Sequence, residues 1–129
     1  MKIHIETIPH DQQRYPTVGD YWEQDGVQEI RVSEMMDWRY EVLVAVHELV
    51  EMALTRHRKI PEEAISEFDI AFEESREKNL VTGEPGDNPN SPYKAEHFFA
   101  TNLERLFAAE LDVDWFEYDR YVDALGFKK

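Results

Sequence analysis

The sequence predicts an α+β fold, with a small antiparallel sheet of about three strands at the N-terminus and about four helices packed on it. Three observations carry that reading. Polar and apolar residues alternate in the opening segments, Asp25-Gly26 marks a tight turn, and from residue 37 onward apolar positions recur every three or four residues.

Each element follows in order. "KIHIETI" places Ile3 and Ile5 on one face and Lys2, His4 and Glu6 on the other, the period of a half-buried strand. A loop through Pro9 and Pro16 leads to "DYWEQDGVQEIRVSE", a hairpin whose Asp25-Gly26 pair suits a turn needing positive φ. Gln28, Ile30 and Val32 share one face of the returning strand. Tyr40, Leu43, Val46, Val50 and Leu54 then form the stripe of an amphipathic helix over about 37–57. A second helix opens at Pro61 with acids in its first turn and turns Ile65, Phe68 and Phe72 inward. "LVTGEPGDNPNSP" is dense in turn formers and reads as a surface loop over 81–92. Ser91-Pro92 starts a third helix, to about Leu111, with Phe99, Leu103, Leu106 and Phe107 as its apolar face. Asp114 and Glu117 form a capping pair for a last helix that Gly126 terminates.

A length of 129 residues fits a single domain spanning 1–129. The absence of cysteine excludes disulfides and thiolate metal sites, and suits a reducing compartment. Lys plus Arg number 14 against 28 Asp plus Glu, a net charge of −14, which repels phosphate backbones and anionic lipid. Neither direct nucleic-acid binding nor membrane association is therefore expected. The start lacks the apolar run of a secretory signal, so the expected setting is cytoplasmic.

Within "AVHELVEMAL", an apolar helical stretch, stand His47, Glu48 and Glu51. His47 and Glu51 are four apart and project from one helix face, the spacing at which two side chains grip one ion. Glu48, one step round, is placed as a general base for water. Further ligands are expected from other helices. Glu96 shares the inward face of Ala100 and Leu103, His97 lies beside it with Glu104 seven residues on, and Asp69 sits between Ile65 and Phe72 as a ligand or as a partner orienting a histidine. Taken singly, each residue has a plainer role: a buried neutral histidine, a solvated acid, an Asp69–Arg76 pair. Their conjunction on the inward edges of separate helices favours a divalent metal, with zinc first and manganese or iron as alternatives that carboxylates also admit. His4, His10 and His57 fall on a polar strand face, in a loop and at a helix end, and are not assigned to the site.

"HELVE" in a helix after a β-hairpin resembles the zincin metallopeptidase helix, His-Glu-x-x-His. That resemblance implies His47 as a ligand and Glu48 as the base, with Glu51 standing where the family has its second histidine. Over nearly its full length, through "RYPTVGDYW", "AVHELVEM", "EPGDNP" and "EHFFATNLERLFAAEL", the chain is similar to a group of small proteins of tailed bacteriophages and prophages, which implies a phage or bacterial setting and no particular activity. Two functions follow as expectations. One is a metal-dependent hydrolase acting on an amide or ester of a small molecule or peptide. The other is a non-catalytic acidic protein that docks a basic host or phage partner.

Overall fold

The computed structural model describes residues 1–126. Three strands, β1 (Lys2–Ile8), β2 (Gly19–Gln24) and β3 (Val27–Ser33), are followed by four helices: α1 (Trp38–His57), α2 (Glu62–Glu77), α3 (Lys94–Glu110) and α4 (Trp115–Gly126). The α+β class read from the sequence is the class observed. None of the described helices is long and apolar enough to cross a membrane.

The hairpin forms where Asp25-Gly26 allows it, both residues lying at positive φ (52° and 78°), and β2 pairs antiparallel with β3. The sheet differs from expectation in one respect. Its order is β1-β3-β2, and β1 runs parallel to β3, with Ile5 beside Ile30. The segment between β1 and β2 therefore carries the chain past the end of β3, and backbone bonds from Glu34 to Ile8 and from Ser33 to Val18 fasten that crossing. A period of two announces a strand but says nothing about the direction of its neighbour.

Gln28, Ile30 and Val32 are buried as the alternation demands, and Ile30 and Val32 join Leu43, Val44, Ala108, Val113, Tyr118 and Val122 in the apolar core. Ile3 and Ile5 lie on the same side of the sheet, yet they stay exposed because α1 packs on β3 and β2. α1 begins with Asp37, whose carboxylate accepts from the Arg39 N–H, and the Glu117 N–H donates to Asp114 at the start of α4. Gly126 is still helical, so the expected helix end beyond it lies outside the described residues.

The helix faces correct the apolar stripes. Phe99 and Leu106 of α3 are exposed, and its buried side is Glu96, His97, Ala100, Glu104 and Ala108. On α1 the buried side includes His47, Glu51 and Thr55 beside Leu43 and Met52. Small alanines let the two helices approach, and the polar groups between them bond to one another, so this seam is closed by hydrogen bonds as much as by apolar contact.

Candidate metal centre

The seam between α1 and α3 brings three ligand atoms together. His47 Nε2 lies 3.0 Å from Glu51 Oε2 and 3.2 Å from His97 Nδ1, and His97 Nδ1 lies 3.0 Å from the same Glu51 oxygen. All three residues are buried, and the two imidazole rings meet edge to face with centroids 4.8 Å apart. Helical spacing alone delivers His47 and Glu51; the close packing of α3 delivers His97.

The outer nitrogen of each imidazole is also engaged. His47 Nδ1 lies 2.7 Å from Glu104 Oε1, and the other oxygen of Glu104 accepts from the Tyr118 hydroxyl. His97 Nε2 faces Asp87 at 3.2 Å and Glu84 at 3.4 Å. Carboxylates only accept, so these partners place the ring protons on the outer nitrogens and aim two lone pairs at Glu51. In that tautomer three lone pairs converge on one point, a demand met either by a cation or by protons on the inner nitrogens that donate to Glu51. Zinc with ligands at about 2.0–2.1 Å in a tetrahedral shell sets ligand atoms about 3.3 Å apart, so the triad needs to spread by only tenths of an ångström to take it. The donor set fits a divalent cation.

The protons follow the same demand. Burial opposes charge on His47 and His97, but hydrogen bonds to Glu104 and Glu51 hold the His47 pKa well above its usual value, and bonds to Asp87, Glu51 and Glu84 push that of His97 up to about 12. Burial also opposes charge on Glu51, yet its bonds to the two imidazoles bring it down to about 2. The fold thus stabilises positive charge at this point whichever species supplies it.

The other residues singled out in the sequence are placed as follows. Glu48 is half-buried and lines the same cavity; burial and the neighbouring Glu51 charge raise its pKa well above the usual carboxyl range. Asp69 lines that cavity too, but outside the triad, where Tyr93 (2.6 Å) and Tyr15 (3.3 Å) donate their hydroxyls to it. Burial carries its pKa up to about 7 against the pull of the Tyr93 bond. Arg76 pairs with Glu73 instead, one turn nearer on α2. Glu96 turns away from the triad and takes an ion pair from Arg58 at 2.5 Å. His4 and His10 bond to Glu29 and Ser33, away from the centre, and His57 is exposed.

Glu84 and Asp87 lie in the 81–92 loop, whose position no local pattern fixes, and no pattern singles out Tyr15, Tyr93 or Tyr118. The one readable signal was "EPGD", two acids bracketing a glycine. A 3-10 turn over Pro85–Asp87 presses this loop on α3, and any Cβ at Gly86 would run into the His97 ring. Gly19 makes a similar approach on the opposite wall, where a Cβ would sit 2.5 Å from Glu48 Oε1. The cavity between these walls holds about 300 Å³, and Arg76 is the one arginine or lysine among its described lining residues, against many carboxylates. No family model, curated protein or solved structure matches the chain.

Proposed function

We propose that the chain is a metal-dependent hydrolase that holds one divalent ion, zinc first, through His47 Nε2, Glu51 Oε2 and His97 Nδ1. The convergence of three lone-pair donors within 3.0–3.2 Å of one another, each imidazole braced from behind by carboxylate, carries this reading. A divalent ion there would polarise a carbonyl and acidify a water, which is the chemistry of amide and ester hydrolysis. Glu48 is the base. It shares the cavity with the triad, and burial beside the Glu51 charge raises its affinity for a proton above that of an ordinary carboxylate. Glu104 and Tyr118 hold the His47 ring in one tautomer, and Asp87 and Glu84 do the same for His97. The cavity walls admit a small molecule or a peptide side chain, and their carboxylates favour a substrate without negative charge.

The test has two stages. Calorimetric titration of metal-stripped protein with zinc is expected to give one ion per chain, and no binding to His47→Ala; cobalt in place of zinc should give the intense visible absorption of a four-coordinate site. Wild type that binds neither ion overturns the centre. Glu48→Gln is then expected to bind zinc as wild type does and to lose turnover of chromogenic ester and peptide-amide probes. Full activity in that variant removes Glu48 as the base, whereas a loaded wild type that cleaves none of the probes rejects the hydrolase and leaves the metal centre standing.

A further inference from the structure

The outer edge of β1 is open. Six of its seven residues are exposed, and no described strand pairs with that side of it. β1 carries Ile3 and Ile5 on the face that meets the core in β3, yet they keep 44% and 45% of their surface exposed because the helical layer stops over β3 and β2. Bare strand edges invite pairing with another chain, and "KIHIETI" has no proline, bulge or inward-turned charge, its edge charges being Lys2 and Glu6 alone. The strand also stands apart electrostatically. In a chain of 28 acids and 14 bases, it holds one acid, Glu6, and one base, Lys2, with His4 midway between them.

We propose that this edge pairs with the same edge of a second copy of the chain. The two β1 strands run antiparallel about a two-fold axis at His4 and form a six-stranded sheet, in the order β2-β3-β1-β1-β3-β2. Self-complementarity fixes that register. With His4 opposite His4, Lys2 stands opposite Glu6 of the second copy and Ile3 opposite Ile5, so one slip-free arrangement matches charge with opposite charge and apolar with apolar on both faces. A slip of two residues, the smallest that keeps both faces, sets Lys2 against His4 or Ile8 and loses its match to Glu6. Glu6 already has Arg31 beside it on β3, and Lys2 of the second copy completes a basic flank on its other side. The two-fold axis stands normal to the sheet, so all four isoleucines come to one side and the helical layers lie to either side of them. A strand of seven residues buries less than a standard interface, and two chains of net charge −14 repel, so the dimer is weak, reversible and strengthened by salt.

Sedimentation equilibrium over a concentration series, from about one to several hundred micromolar, tests it on the intact chain. Wild type is expected to pass from monomer to dimer across that range. Lys2→Glu and Glu6→Lys should each weaken association about fivefold or more, the double variant K2E/E6K should recover it, and Ile5→Lys should abolish it; these residues are exposed, and an unchanged circular dichroism spectrum verifies the fold. A chain that stays monomeric at every concentration overturns the proposal and leaves the edge to a strand from a different protein. A dimer indifferent to Ile5→Lys, or one that the double charge exchange fails to restore, overturns this interface and register.

Discussion

The two imidazoles of the centre are held in different ways. His47 is backed by Glu104, a helix-borne carboxylate that itself receives the hydroxyl of Tyr118, and Tyr118 is 2% exposed in the apolar core. His97 is backed by Glu84 and Asp87, loop residues whose side chains keep 40% and 69% of their surface in solvent. One side of the centre is fixed by the packed interior; the other is set by a loop that water reaches. With an ion held as proposed, rigid support of one imidazole and adjustable support of the other would let the site keep it while the open side accommodates a substrate.

Removal of either ring is the most severe perturbation of the centre. Zinc affinity, measured by competition with a chelating dye, is expected to fall by about a thousandfold or more in both His47→Ala and His97→Ala, because each takes away one of three ligands. Equal losses would show that the asymmetry lies behind the ligands and not in them.

A second experiment separates the triad from the carboxylate across the cavity. The pKa of Asp69 stands near 7 in the fold against an ordinary 3.8, so the native state binds its proton more tightly than the unfolded chain does. Its contribution to stability is present below pH 4 and disappears as the pH rises through about 7, amounting to a few kcal/mol at most at about 1.4 kcal/mol per pH unit. Denaturant unfolding of metal-free protein should therefore show stability falling over that window. Asp69→Asn, which keeps an acceptor for Tyr93, should flatten the curve there.

Smaller effects discriminate between the two supports. Glu104→Gln should reduce zinc affinity about ten- to a hundredfold and cost about 1–3 kcal/mol in chemical denaturation, since a buried acceptor for both His47 and Tyr118 is altered. Asp87→Asn should lower zinc affinity only a few-fold and leave the unfolding midpoint where it was, because the side chain is solvated and Glu84 still faces the same nitrogen. If the two substitutions had equal effects on affinity and stability, the distinction between a fixed and an adjustable side would fail.

How far the centre was legible follows from what each residue depends on. His47 and Glu51 are related by helical spacing, a local rule, and "AVHELVEMAL" displays it. His97 was readable as an inward-facing histidine on another helix, but its meeting with His47 rests on how α3 packs. The apolar stripe of Phe99 and Leu106 pointed to the wrong face, since hydrophobic periodicity weighs side chains one at a time and cannot see that Glu104 and His47 satisfy each other. Glu96 and Asp69 were equally plausible as ligands on burial, and both are indeed buried; Arg58 in one case and two tyrosines in the other occupy them. The hairpin was legible because Asp25-Gly26 is a local instruction, whereas the parallel placement of β1 is set by a crossing fastened at the C-terminal end of β3, far from β1 in sequence.

That crossing has a consequence for the order of folding. The β2–β3 hairpin closes over a two-residue turn, an event of microseconds. β1 pairs with residues about twenty-five positions away, so its arrival waits on the closure of a much longer loop. In the interval β3 has one edge paired and one bare, with Ile30 and Val32 still unroofed until α1 settles on them. A chain in that state exposes both a strand edge and an apolar face, so a variant that slows the arrival of β1 is expected to aggregate more on refolding.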